Sequence, residues 1–551
     1  MDFTPAFMIK IKIFNKLNFL KSDLPFILLF IVFASFYYDS VLDKGPLNVH
    51  LWRQTDCLSI TRNYSEGASF FKPETNFLLA DNNTSSLSLA EFPILYYSIG
   101  MIWKIFGESY LSYRLVYLLI LFAGLFSFYK SLRILLNDNF WATALSLLLF
   151  TSPVYVVYGI SFLTDVPAFS FILIALYFFL QYHLKKAQKL FFLSMAFFAL
   201  AGLIKISSLI AFIFLFIILI LETLSVRSLG KRKLFNCNKS EWIGFSSVIL
   251  AVVSWYSYVE YFDALHGFKY SAGSIFPIWS VEKDAIGELI NNINNFTSYV
   301  FFSSSVMLVL LFIGILNLFL WRKIPVFAYL SNIIFALGGI IYFVLWASIL
   351  GIHDYYFTAL LILFAGILIP FIWFIKTNHA DIFHGKIMKI FLVLFLSFNF
   401  LYCLSVVKLK TLATEGDFIM VRNHEFISRM QWTNWDVNTN LNRFESMKPY
   451  NREIGIKIED KVISLPDPSF NISLYLMNQK GWSDFLNYKE SEDIEKLIQK
   501  GAKYLFISDP KLLQESFLKP FLSDSVGSYM GIGIYKLSQN IQMNDTTVHS
   551  K

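Results

Sequence analysis

The chain reads as a polytopic α-helical membrane protein with a small extracytoplasmic α/β domain at its C-terminus. Three observations predict this. Apolar runs of about 20 residues, the length of a membrane crossing, follow one another as far as residue 407. Of the 551 residues, 56% are hydrophobic and 15% charged, with mean hydropathy +0.55, whereas soluble chains carry about 25% charged residues. Beyond residue 408 the apolar runs shorten to the length of strands.

The organisation predicted is a cytoplasmic tail (1–23), a transmembrane domain (24–407) whose first external loop is 43–92, and an extracytoplasmic α/β domain (408–551). The net charge of +7 does not point to nucleic acid. The lysines and arginines cluster between apolar runs, as the positive-inside rule places them. The tail holds Lys10, Lys12, Lys16 and Lys21. No small-residue cleavage site follows the first apolar run, so it is read as a retained anchor. Cys57, Cys237 and Cys403 lie far apart, without disulfide or metal spacing.

Taken in order, the first span is expected at 24–40. A helix is expected from His50 to Glu66, stopped by Gly67. The apolar stretch from Pro93 to Phe106 is too short to span and contains Lys104, so it should lie along the outer surface. Spans then follow at 112–132, 140–159, 162–182, 190–204, 206–223, 242–262, 298–320, 326–350, 356–375 and 387–407. This gives about eleven spans, with the N-terminus inside and the C-terminus outside. Arg227, Lys231, Arg232 and Lys233 then fall inside. A second external loop, 263–297, holds His266, Lys269, Glu282 and Asp284, with Phe276 and Trp279 as interface anchors. In the tail domain, 461–465, 504–507 and 531–535 read as strands and 491–500 as an amphipathic helix.

The stretch His50-Leu51-Trp52-Arg53-Gln54-Thr55-Asp56 carries the first candidate chemistry. Arg53 and Asp56 are one helical turn apart. They read either as a surface ion pair of little worth or as a site in which a partly dry Asp56 has a tuned pKa and acts as a general base. Asp165, in Thr164-Asp165-Val166-Pro167, reads as a helix-start residue or as a second acid at the outer mouth. Lys205, flanked by apolar runs, reads as a snorkelling lysine or as a cation for a lipid phosphate. His353-Asp354-Tyr355-Tyr356 opens another span, as capping residues and interfacial aromatics or as ligands. No P-loop, Gly-rich nucleotide fingerprint, HExxH or GxSxG is present.

Five of these segments, in order, resemble the GT-C superfamily of membrane glycosyltransferases. The nearest likeness is to the bacterial relatives of dolichyl-phosphate-mannose–protein mannosyltransferase (glycosyltransferase family 39), including the aminoarabinose-transferase and Rgt-type lipopolysaccharide-core enzymes. Trp52-Arg53-Gln54-Thr55-Asp56 resembles their Trp-Arg-Gln-x-Asp segment. Glu91-Phe92-Pro93-Ile94-Leu95-Tyr96-Tyr97 resembles the stretch that closes their first external loop, with one proline instead of two. Phe106-Gly107-Glu108-Ser109 with Arg114, then Thr164-Asp165-Val166-Pro167, follow as in that family. His353-Asp354-Tyr355-Tyr356 stands where the family has an Arg-Tyr element, with His-Asp in place of Arg.

The resemblance implies a GT-C fold and an inverting sugar transfer from a polyprenyl-phosphate donor to an envelope glycan, lipid or protein acceptor. It implies Asp56 as base, and Arg53, Lys205, His353 and Tyr355 at the donor phosphate and substrate. Asp165 would orient the acceptor or help to hold a divalent metal; no cofactor is assigned. The location implied is the bacterial inner membrane. Three other readings stay open: a lipid-linked glycan polymerase, a flippase or transporter of envelope polysaccharide, and an envelope scaffold.

Overall fold

The first apolar run forms helix α1 (Lys16–Tyr38), the start of what a computed structural model describes for residues 16–47, 49–79, 85–226, 233–267, 275–297, 299–413 and 420–538. The basic tail residues Lys10 and Lys12, the loop cations Arg227, Lys231 and Arg232, and Lys269 lie outside the described residues. After α1 the chain makes α2 (Leu51–Ser65), α3 (Ile94–Phe106) and α4 (Tyr110–Leu136). At 1.5 Å per residue, α3 is about 20 Å long, too short to cross a bilayer.

The run expected to span 140–159 is broken into α5 (Asn139–Leu149) and α6 (Pro153–Tyr158). Pro153 restarts the helix at its first position, where a missing N–H costs nothing. The freed backbone is satisfied inside the protein: Val154 N donates to Val300 O at 2.7 Å, and Tyr38 Oη donates to Val156 O at 2.9 Å. Then come α7 (Asp165–Lys185), α8 (Gln188–Ile204), a tight turn at Ile206–Leu209, α9 (Ile210–Thr223) and α10 (Lys239–His266). The expected second loop contains a helix, α11 (Ile286–Thr297). The bundle is completed by α12 (Ser304–Phe319), α13 (Val326–Leu350), a tight helical entry at Asp354–Leu361 into α14 (Ile362–Asn378), α15 (Ala380–His384) and α16 (Lys386–Thr411).

Among the described residues, seven helical stretches are long and apolar enough to cross a membrane: 110–136, 165–185, 206–223, 239–266, 326–350, 354–378 and 386–411. The expected spans at 24–40, 140–159, 190–204 and 298–320 coincide with shorter apolar helices. Large side chains such as Leu250, Phe312 and Leu394 face outward. The molecule is a multi-pass membrane protein.

Beyond α16 lie α17 (His424–Asp436), α18 (Asn442–Ser446), α19 (Lys448–Glu453) and a five-stranded sheet. Its strands are β1 (Lys461–Leu465), β2 (Gly481–Ser483), β3 (Ala502–Ile507), β4 (Ser525–Tyr529) and β5 (Ile532–Lys536), ordered β2-β1-β3-β5-β4. The first three are parallel and β5 joins β3 antiparallel. Helices α20 (Ile472–Met477) and α21 (Ser491–Gln499) are the crossovers that parallel neighbours require. The sheet edge is not left open. Gly481 N donates to Phe77 O at 3.0 Å and Leu79 N to Gly481 O at 2.8 Å, so the segment before α3 docks on β2.

Candidate active site

Helix α2 is polar in sequence yet buried on nearly every side, between α3 and α20. Its entry is fixed by side chains. Gln54 accepts from Leu47 N at 3.1 Å and donates to the Leu47 and Val49 carbonyls at 2.7 Å. Arg114 donates to the carbonyls of Val41 (2.7 Å), Gly45 (2.9 Å) and Ile160 (3.0 Å), and its plane lies 4.3 Å from the Phe162 ring. A guanidinium with five donors can hold a turn in this way and a lysine cannot. Gly67, at φ +106°, ends the segment where a side chain would be strained.

Asp56 faces a cavity of about 590 Å³, a size that suits a small ligand. It is 9% exposed. Burial pushes its carboxyl up to about 7, with Glu91 and Asp467 adding to the rise and Arg53 opposing it. Of the two readings of Arg53 and Asp56, the ion pair is not formed among the described residues. Arg53 instead pairs closely with Glu91, which also accepts from Tyr96 Oη at 2.6 Å and Thr164 Oγ1 at 3.2 Å. Burial works against ionisation of Glu91, but the charges of Arg53 and Lys205 outweigh it and hold its pKa below the usual range. Asp56 accepts instead from Asn471 Nδ2 at 3.1 Å, a residue 415 positions away.

Lys205 lines the cavity and is no free snorkelling lysine: its Nζ lies 3.0 Å from Asp165 Oδ1 and 4.2 Å from the centre of the Tyr356 ring. Asp165 opens α7, where Thr164 makes no side-chain cap. His353 and Tyr355 line the same cavity. Burial, with His50 nearby, lowers His353 to about 4, so its ring is neutral at pH 7. His353 Nδ1 is buried without a hydrogen bond. Asp354 is no cap: it accepts from His50 Nε2 at 2.7 Å and from Tyr158 Oη, while Lys410 holds its other oxygen.

The cavity thus gathers Arg53, Asp56, Lys205, His353 and Tyr355, with Asp165 one contact behind Lys205. Its lining also includes the apolar Ile206, Phe276, Trp346 and Ile349, together with Trp52, Thr75, Asn76 and Phe470. Sequence reading missed Glu91 and Asn471 as site residues. Glu91 had a signal, a lone acid at the head of an apolar stretch; Asn471 had none. Among the described residues no group of three or more His, Cys, Asp or Glu side chains is arranged to hold a metal ion. Asp165, held by Lys205, is poorly suited to bind a second cation.

Two solved structures share this arrangement of helices and sheet. One is ArnT from Cupriavidus metallidurans in the apo state, at TM-score 0.55 and 12% identity, covering 94% of this chain and 98% of that one. The other is ArnT from Cupriavidus metallidurans bound to undecaprenyl phosphate, at TM-score 0.56 and 12% identity, covering 93% and 98%. The chain therefore has the fold of these ArnT structures. Residues 91–256 also match the family model of dolichyl-phosphate-mannose-protein mannosyltransferase. The matched stretch begins at Glu91 and includes Asp165 and Lys205, but not Asp56. Comparison with curated proteins found no match.

Proposed function

We propose that this chain transfers a sugar from a polyprenyl-phosphate donor to an envelope glycan, lipid or protein acceptor at the outer face of a bacterial inner membrane, inverting the anomeric centre. The observation that carries the reading is Asp56. It is a buried carboxyl with a pKa near 7, in a cavity lined by cations and by apolar side chains. A base for neutral pH needs such a pKa, and a lipid phosphate needs such neighbours. The solved ArnT structure with undecaprenyl phosphate supports the choice of donor.

In this mechanism Asp56 takes the proton of an acceptor hydroxyl. The hydroxyl oxygen attacks the anomeric carbon, the bond from that carbon to the phosphate oxygen breaks, and polyprenyl phosphate leaves. A base opposite the leaving group gives inversion. Arg53 and Lys205 stabilise the charge gathering on the phosphate. Each is paired with a carboxylate, Glu91 or Asp165, which holds it in place until the donor enters. Asp165 therefore acts by positioning Lys205. The neutral His353 and Tyr355, which line the cavity, offer hydrogen bonds to the donor headgroup or sugar.

The test is transfer from a panel of radiolabelled polyprenyl-phosphate sugars in membranes holding wild type or Asp56→Asn at equal abundance. Donor consumption by wild type alone is the expected result. Equal consumption by both would remove Asp56 from the chemistry. Consumption by neither would return the polymerase and transporter readings to the front.

A further inference from the structure

The loop after β1, residues 466–471, reaches from the C-terminal sheet to α2, and it is built to be rigid. Asp467 Oδ1 accepts from Ser469 N at 2.9 Å and Ser469 Oγ at 2.5 Å; its Oδ2 accepts from Ser473 N at 2.8 Å and Ser473 Oγ at 2.5 Å. Ser483 Oγ, on β2, donates to Ser469 O at 2.6 Å. Asn471, at the end of the loop, is fully buried. Its Oδ1 accepts from Phe77 N at 2.8 Å and from Ser59 Oγ at 2.8 Å. A backbone N–H cannot accept, so the amide has one possible orientation. Its Nδ2 must then face Asp56 Oδ1, at 3.1 Å.

We propose that Asn471 is a positioning residue for Asp56: through it the C-terminal unit fixes the carboxyl rotamer, holds Oδ1, and leaves Oδ2 as the oxygen that meets the acceptor hydroxyl. Among the described residues Oδ2 has no hydrogen bond, and Asp56 lines the cavity. The charged groups around Asp56 are Arg53 on α2, Glu91 before α3 and Asp467 in the same loop. An amide suits this task better than a cation. It orients the carboxylate and stabilises its charged form through one bond, without the full charge that would make it a weak base. The proposal rests on Asp56 being the base.

The experiment uses the full chain in lipid nanodiscs and labels protonated carboxyls with dicyclohexylcarbodiimide across pH, reading Asp56 by peptide mass spectrometry. Labelling needs no substrate, so it reports on Asn471 even if no sugar donor is ever turned over. Asn471→Ala is the deciding variant: it removes the donor without adding a charge, whereas Asn471→Asp keeps an acceptor for Phe77 N and Ser59 Oγ but sets a second carboxylate beside Asp56. The labelling midpoint of Asp56 should rise by about one pH unit or more in Asn471→Asp and in Asn471→Ala. Turnover should fall about tenfold or more, while binding of undecaprenyl phosphate is unchanged. If Asn471→Ala fails to fold, the uncharged Asn471→Ser decides in its place. A midpoint in the uncharged variant equal to that of wild type would make Asn471 a merely structural residue and overturn the proposal. A wild type inactive on every donor would count against the proposed function instead.

Discussion

His50 Nε2 donates to Asp354 Oδ1 at 2.7 Å, joining the start of α2 to the entry of α14 across 304 positions. His50 adopts a left-handed backbone, φ 56°, where a non-glycine residue needs a reason to sit. Asp354 is that reason, and it binds Tyr158 and Lys410 at the same time. Four elements of the bundle meet at this carboxylate, and α2 carries Asp56 away from the junction.

Lys410 is 1% exposed, and removing it would leave Asp354 buried with no full countercharge. Breaking one side of such a pair costs about 3–5 kcal/mol. Lys410→Met should therefore lower the thermal stability of the purified protein sharply. Lys410→Met with Asp354→Asn should recover part of the loss, because the uncompensated charge is gone. No recovery in the double variant would mean that Lys410 contributes by packing rather than by charge.

Arg53 and Glu91 allow the same test closer to the cavity. Arg53→Met should destabilise by about 3 kcal/mol, since Glu91 loses the main charge that offsets its burial. Glu91→Gln should cost less, because Tyr96 and Thr164 can still donate to the amide oxygen. The double variant should lose well less than the sum of the two single losses in a thermal-unfolding cycle. Additive losses would show that the two side chains do not stabilise each other.

Much of this was legible in the sequence, and the reason is local signal. Apolar run length located the helices of the bundle, and the His50–Asp56 stretch, Lys205 and His353–Tyr355 do meet at one cavity. Pairings were not legible. Helical spacing made Asp56 the obvious partner for Arg53, but a tertiary competitor, Glu91, arrives from a loop and wins. Asn471 gave no signal, since nothing local marks an amide that will cross 415 positions to a carboxylate. The three-residue β2 and the Gly- and Ser-rich β4 are too short or too polar to be read as strands. The polar face of α2 suggested exposure, and the C-terminal unit that buries it lies some 400 residues on.

Gly481 holds that unit against the segment before α3. A Cβ there would sit 1.8 Å from Val462 O, a backbone atom that cannot step aside. Gly481→Ala must therefore push β2 off β1 or off Phe77 and Leu79. Limited proteolysis should cut Gly481→Ala near residues 77–79 or 481 at protease levels that spare wild type. Identical digestion patterns would mean that the docking tolerates a shift of the edge.

Asp56 makes opposite demands on activity and on stability. As a base it must be ionised, so log kcat/KM should rise with unit slope below pH 7 and level off above it. Asp56→Asn should remove this limb and leave about 10²–10⁴-fold less activity. For stability the sign reverses. The folded pKa, about 7, is raised above the unfolded value of about 3.9. The stabilising contribution is then complete below the unfolded pKa and is lost as pH rises through the folded one. At pH 8 the folded protein carries a carboxylate that is less well stabilised than in the unfolded chain, a deficit of about 2–4 kcal/mol. Asp56→Asn keeps the shape and can still accept from Asn471, but it has no charge to bury. Its thermal midpoint should gain on wild type between pH 4 and 7, and the gain should then stay constant. A difference that does not change with pH would mean that Asp56 titrates near its ordinary value, and the activity limb should then move down with it.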